Sequence, residues 1–171
     1  EAGASPTVPR QPVNVTAVGE NGRAIISWDV PPDAGSTLPG NGGSNITGYK
    51  IQSSPGNMEV TSSTNSVTFN GLTNGTTYTF TVKASNSVGD SSSSQPSSFV
   101  IPATAPGKPQ NVIASSKDSS AYLEWSAPIS NGGKAVTGYS IYVGIVPESG
   151  VKATDWKSNL TQTVGLSTST T

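Results

Sequence analysis

The chain has 171 residues, of which 11% are charged, and its formal net charge is −1. It contains neither histidine nor cysteine, which excludes a serine–histidine–aspartate triad, a cysteine nucleophile, disulfides and a zinc site with the usual ligands. The nine lysines and arginines are scattered and form no basic face for nucleic acid. No apolar run approaches the roughly 20 residues of a membrane-spanning helix.

Residues 1–10 are rich in proline, alanine, serine and threonine and are predicted to form a linker. From residue 11 onwards, apolar residues alternate with polar ones in short runs separated by turn signals, which is typical of β-strands. Seven such runs and no helical stripe predict a sandwich of two antiparallel sheets over residues 11–102. The runs are Val13–Ala17, Ala24–Trp28, Tyr49–Ile51, Met58–Val60, Val67–Phe69, Tyr78–Ala84 and Phe99–Ile101.

Two loops interrupt these runs, at residues 31–43 and 86–94. The first is seven residues longer than the corresponding loop later in the chain. Variable loops on a rigid sandwich often bind partners, but extra loop length is also energetically cheap, so a tolerated insertion explains it equally well. The residues proposed here for interaction are Asp33, Leu38, Asn41 and, from the second loop, Asp90.

Residues 103–109 form a second linker, in which Pro106 and Pro109 favour an extended and fairly stiff chain. The residue pattern of the first predicted domain then repeats. Pro12, Val15, Ala24 and Trp28 recur 97 residues later, and Asn41-Gly42-Gly43 recurs 90 residues later as Asn131-Gly132-Gly133. The repeat predicts tandem sandwiches, with a second domain over residues 110–171.

The second copy is predicted to be truncated, because Thr171 aligns with Thr77, just before the strongest strand of the first copy. Without its last two strands it has an open sheet edge, and we do not expect residues 105–171 to fold stably alone. Two explanations remain open: the sequence is a piece of a longer chain, or another chain donates the strands.

A set of residues at fixed spacings makes the chain resemble the fibronectin type III domain. The resemblance is complete over residues 9–103 and partial over residues 106–171. This resemblance implies that Trp28 fills the space between the sheets, that Tyr78 forms the tyrosine corner, and that Leu72 closes the core beneath it. It is carried by Pro12-x-x-Val15, Trp28, Gly48-Tyr49-x-Ile51 and Leu72-x-x-Gly75-Thr76-x-Tyr78.

The predicted structural core follows from the same positions in both copies: Trp28, Tyr49, Leu72, Tyr78, Trp125 and Tyr139. One family function does not carry over. Some animal members present Arg-Gly-Asp before the last strand, whereas this loop contains Gly89-Asp90 without an arginine, so integrin-type recognition is not supported.

Little remains for catalysis or metal binding. Asp29 and Asp33 are the nearest carboxylate pair, interpreted as surface acids and turn formers. A weak calcium site with Asn41 is a minor alternative. Trp156 could stack on a sugar ring, although covering a sheet edge is the favoured interpretation. No catalytic residue, cofactor or metal ligand is predicted.

These observations predict a non-enzymatic structural and interaction module, a spacer or display domain of a larger extracellular, cell-surface or virion-surface protein. The expected partners are other protein domains or chains, with carbohydrate as a further candidate and no role for nucleic acid or membrane insertion. The alternative is a pair of accessory domains of a secreted polysaccharide-degrading enzyme.

Overall fold

A computed structural model of the chain describes residues 4–33, 38–142 and 161–165, with no side-chain description beyond residue 141. Within these ranges every regular element is a β-strand. The chain divides into two compact units, residues 1–134 and residues 135–171.

The first unit contains a sandwich of two three-stranded antiparallel sheets. One sheet has the order β1-β2-β5 and the other β4-β3-β6, which confirms the predicted all-β class. The strands are β1 (Val13–Glu20), β2 (Arg23–Asp29), β3 (Gly48–Ser54), β4 (Glu59–Ser62), β5 (Ser66–Asn70) and β6 (Thr79–Ser85).

The core forms where the two sheets face each other. Alternate residues of each strand point inwards, and aromatic rings meet across the gap. The ring centroids of Trp28 and Tyr49 are 5.2 Å apart, as are those of Phe69 and Phe80. The buried apolar residues are Ala24, Ile26, Trp28, Tyr49, Ile51, Phe69, Leu72, Tyr78, Phe80, Val82 and Ala84.

The chain after β6 differs from the sequence prediction. The expected closing strand at Phe99 and Ile101 is wrong: that segment forms no regular strand, and Phe99 is 73% exposed. Instead, residues 90–100 run beside β6 with a three-residue period, as in polyproline II chains, rather than the two-residue period of a strand.

The three-residue period comes from Ser91, Ser94 and Ser97, hereafter the serine ladder, all of which are buried. Each ladder N–H donates to a β6 carbonyl at 2.8–2.9 Å. Each hydroxyl accepts a β6 N–H at 2.9–3.1 Å and donates to the carbonyl of its own next residue. The hydroxyls thus replace the main-chain acceptors that a regular strand would supply. The β6 partners are Phe80, Val82 and Ala84.

The first unit also contains the hairpin of β7 (Gln110–Lys117) and β8 (Ser120–Ser126). It repeats the geometry of β1 and β2: both hairpins have a register shift after their first pair, and Asn14 and Asn111 adopt φ of 54° and 50° there. Tyr122 is exposed, while Trp125 is half-buried and lies outside the buried cluster.

The second unit contains β9 (Gly138–Tyr142) and β10 (Thr161–Gly165), which pair antiparallel. Tyr139 in β9 is half-buried. The further strand predicted within 151–156 lies outside the described residues. The division into domains at 102 and 110 therefore stays a prediction.

Candidate interaction surface at the loop pole

Three segments meet at one end of the sandwich, hereafter the loop pole: residues 4–12, residues 30–33 with 38–47, and residues 86–90. They meet because β1 starts there, β2 and β6 end there, and β3 starts there. The opposite end, hereafter the turn pole, is formed by the turn at 21–22 and by residues 71–76. Four of the five residues predicted for interaction lie in the loops of the loop pole.

Asn86 holds the three segments of the loop pole together. Its amide nitrogen donates to the carbonyl of Thr7 at 2.7 Å and to that of Asn41 at 2.9 Å. Its side-chain oxygen accepts the N–H groups of Val88 and Gly89. Asn86 is 7% exposed, so one buried amide uses its hydrogen-bonding capacity to join all three segments.

The first linker is clamped onto this pole by backbone hydrogen bonds. The N–H of Thr7 donates to the carbonyl of Gly42, and that of Arg10 donates to the carbonyl of Gly40, each at 2.9 Å. Gly42 has φ of 74°, and a β-carbon there would lie 2.3 Å from the Thr7 carbonyl oxygen. Only glycine therefore allows the linker to approach the loop so closely.

The long loop is braced by its own polar side chains. The carboxylate of Asp33 accepts the N–H of Gly40, and the side-chain oxygen of Asn41 accepts the N–H of Gly43 at 2.9 Å. Asp33 is exposed, whereas Leu38 and Asn41 are half-buried. Asp33 and Asn41 thus stabilise the loop by accepting hydrogen bonds from its backbone N–H groups.

Asp90 is held by a different set of contacts. Its carboxylate lies 2.6 Å from Lys50 Nζ and accepts the hydroxyl hydrogen of Ser85 at 2.6 Å. These two hydrogen bonds, that from Lys50 first, hold the pKa of Asp90 below its usual range. The same bond, with the carboxylate charge, raises the pKa of Lys50. The bonds to Lys50 and Ser85 therefore fix the position of Gly89-Asp90 at the edge of the pole.

The nearest carboxylate pair of the sequence, Asp29 and Asp33, makes hydrogen bonds within the fold. Asp29 accepts a hydrogen bond from Asn14 at 2.7 Å while Asp33 caps Gly40, so the two carboxylates have separate structural partners. In the described ranges, no group of three or more acidic residues could hold a metal ion. Nor does any described segment form a helix of the length and hydrophobicity that a membrane crossing requires.

The tyrosine corner is formed as the resemblance implies. The N–H of Thr73 donates to the hydroxyl of Tyr78 at 3.1 Å, and Leu72 is buried beneath that turn. The family model for the fibronectin type III domain matches residues 7–100. The chain belongs to the fibronectin type III family. The match covers all six strands of the sandwich, the serine ladder, and the loop pole from residue 7 onwards.

Two curated relatives align with most of this fibronectin type III chain. Chitinase A1 of Niallia circulans is 30% identical over 147 residues, covering 81% of this chain and 19% of that protein. Exoglucanase B of Cellulomonas fimi is 32% identical over 147 residues, covering 81% of this chain and 12% of that protein. The chain thus spans a fifth or less of these two relatives.

Among solved structures, domains A168–A170 of titin match with 25% identity and a TM-score of 0.47. The match covers 56% of this chain and 32% of that one.

Sequence reasoning missed the two features that organise this domain's polar contacts. The serine ladder was visible as a Ser-x-x-Ser-x-x-Ser repeat from Ser91 to Ser97, a period that fits neither helix nor strand. Asn86 gave no such signal, because its partners are backbone groups 45 and 79 residues away. Trp156, the fifth predicted interaction residue, lies outside the described residues.

Proposed function

We propose that the chain is a non-catalytic spacer module that holds other parts of a larger extracellular protein at a fixed separation. The observation that carries the proposal is the path of the chain through the sandwich. It enters at the loop pole, where Thr7 and Arg10 are clamped, and leaves at the turn pole, where the carbonyl of Pro102 accepts the N–H of Gly75 at 2.9 Å. The chain is thus anchored at the loop pole where it enters the sandwich and at the turn pole where it leaves.

The chemistry of the molecule supports this role. The chain has no histidine or cysteine, and the carboxylates of Asp29 and Asp33 are bonded to neighbouring groups, so neither an imidazole base nor a thiol nucleophile is available. Its surface is rich in hydroxyls, since 48 of 171 residues are serine or threonine, and carries little charge. Such a surface stays hydrated without attracting charged partners.

The host that we favour is a secreted polysaccharide-degrading enzyme, in which this module would be an accessory part. Support comes from the chitinase and the exoglucanase, both much longer than the aligned segment. The comparisons give no support to the virion-surface alternative. Other protein domains of the same host are the proposed partners.

The spacer role is tested by distance measurement, for which the absence of cysteine is convenient. Ser5→Cys places one dye before the clamp at the loop pole, and Ala105→Cys places the other after the bond to Pro102 at the turn pole; both positions are exposed. Single-molecule energy transfer on the full chain should give one narrow distance. A broad distribution in a sample whose sandwich is folded would contradict the spacer role.

A direct role in carbohydrate binding is tested by retention on chitin and cellulose. We expect the chain neither to be retained nor to release soluble sugar. Trp156→Ala is the informative variant, and Tyr122→Ala is its control because that ring is 54% exposed. Retention that Trp156→Ala abolishes and Tyr122→Ala preserves would make the chain a carbohydrate-binding module instead.

A further inference from the structure

The loop Asn131-Gly132-Gly133 reproduces the clamp of the loop pole. The N–H of Thr104 donates to the carbonyl of Gly132 at 2.8 Å, as that of Thr7 does to Gly42. A β-carbon on Gly132 would lie 2.2 Å from the Thr104 carbonyl oxygen. Asn131 accepts the N–H of Gly133 at 2.9 Å, as Asn41 does that of Gly43. The two loops therefore share one backbone geometry.

The last glycine of the later loop lies against the turn pole of the sandwich. A β-carbon on Gly133 would lie 2.6 Å from the nitrogen of Gly75 and 3.0 Å from the carbonyl carbon of Asn74. Gly133 therefore lets the backbone of the Asn74-Gly75 turn come into direct contact with the loop.

The turn that makes this contact is rigid. Asn74 accepts the N–H of Gly22 at 2.8 Å and donates to the side chain of Asn21 at 2.7 Å. Gly75 donates to the carbonyl of Pro102. Because both polar ends of the Asn74 side chain are bonded, the turn presents a fixed surface to the loop.

At the loop pole, the residues that the structure describes place no such turn against the equivalent glycine, Gly43. Around Gly43 the nearest atoms to an added β-carbon are Leu38 Cδ2 at 3.2 Å and Pro6 Cα at 3.9 Å, both from the same pole. Gly43 is exposed, whereas Gly133 is half-buried. The loop at Gly43 therefore exposes the same backbone surface that, at Gly133, is covered by the Asn74-Gly75 turn.

We propose that the loop Asn41-Gly42-Gly43 is a docking surface for the Asn-Gly turn of a second fibronectin type III sandwich of the same kind, placed ahead of it in series. The occupant is identified by the contact already present at Gly133. This inference rests on the proposed spacer function and adds that the joints between spacers are fixed by backbone contact.

The test joins two copies in the register of the natural chain. Residues 1–103 are followed by residues 7–171, so that Ala103 precedes Thr7 as it naturally precedes Thr104. One exposed residue, Ser63, is replaced by cysteine in each copy for distance measurement. We expect a single narrow distance between the two dyes.

Gly43→Val in the downstream copy should abolish that narrow distance, because a side chain there would displace the incoming turn. The same change in the upstream copy is the matched control: it has the same backbone strain at φ of 78° but no domain ahead of it. We expect it to leave the distance unchanged.

Two results would overturn the proposal: a broad distance in the unmodified double chain, or a distance that downstream Gly43→Val leaves unaltered. Neither result touches the spacer function itself, which is measured within one sandwich between Ser5→Cys and Ala105→Cys. A narrow distance there with a broad one across the new joint would reject the docking surface and retain the spacer.

Discussion

At the scale of single residues, Tyr78 shows how one hydroxyl stabilises the turn that closes the core. The ring is 6% exposed, and its oxygen accepts the N–H of Thr73. Tyr78→Phe keeps the packing but leaves that N–H without its acceptor. We expect a loss of about 1–3 kcal/mol in the free energy of unfolding, measured by chemical denaturation.

Tyr122→Phe is the control for this change, because it removes a hydroxyl from a ring that is 54% exposed. Its free energy of unfolding should stay within about 0.5 kcal/mol of the parent chain. Equal stabilities for the two variants would show that the Tyr78 hydroxyl contributes nothing to the turn.

The pair of Asp90 and Lys50 has a definite pH dependence. Since folding lowers the pKa of Asp90, its contribution to stability is complete above the unfolded pKa and is lost as the pH falls through the folded value. Lys50 has its pKa raised, so its contribution is complete below the unfolded value and is lost as the pH rises through the folded one.

Lys50→Met should raise the pKa of Asp90 towards its ordinary value, as read from the carboxyl carbon in an NMR titration. Lys83→Met is the comparison, because Lys83 makes only the last and smallest contribution to the Asp90 shift. A larger effect from Lys83→Met than from Lys50→Met would contradict the assigned cause.

At the scale of elements, the serine ladder explains why the last segment of the sandwich is not a strand. A regular strand would extend the β4-β3-β6 sheet and present a new row of unpaired groups at its edge. The ladder instead bonds β6 through serine hydroxyls at every third residue. It closes the core while leaving no continuous strand for another chain to pair with.

Ser94→Ala should therefore destabilise the domain more than a surface change does. It removes the hydroxyl that accepts the N–H of Val82, and Val82 is 0% exposed. We therefore expect the free energy of unfolding to fall by about 1–3 kcal/mol. Faster hydrogen exchange at the Val82 amide would locate the effect. Ser93→Ala, at an exposed neighbour, should change neither quantity, and similar results for both would contradict the ladder.

The same segment shows where prediction from sequence succeeds and fails. The β6 strand was predictable because Phe80, Val82 and Ala84 alternate with polar residues, and burial on one face of a sheet imposes that period. The ladder was missed because its inward residues are serines. Their burial is offset by hydrogen bonds to a strand that sequence patterning cannot position.

At the scale of the whole molecule, the family and the two-sheet architecture could be predicted from Trp28, Tyr78 and their spacing. The assembly of the loop pole could not. That Asp33, Asn41 and Asp90 contact partners stays a prediction, whereas their hydrogen bonds within the pole or at its edge were not predictable from the sequence. Contacts that close loops depend on the final backbone path, which residue types alone do not determine.

The last prediction concerns how the first linker is held at the loop pole. Asn86→Asp preserves the shape of the side chain but replaces its donor with an oxygen that faces the carbonyls of Thr7 and Asn41. Losing two hydrogen bonds should weaken the clamp by about 2 kcal/mol, which corresponds to roughly 30-fold more opening. Hydrogen exchange at the Thr7 and Arg10 amides measures this opening directly.

Asn45→Asp introduces the same charge at an exposed position in another segment of the loop pole, and therefore separates the effect of charge from the effect of the lost hydrogen bonds. We expect it to leave exchange at Thr7 and Arg10 unchanged. In Asn86→Asp, exchange should rise at the clamp while the amides of β3 and β6 stay protected, since the core does not depend on the linker. Unaltered exchange at Thr7 would mean that the backbone bonds to Gly40 and Gly42 hold the linker without Asn86, and the rigidity of the spacer's entry would then lie in the glycines alone.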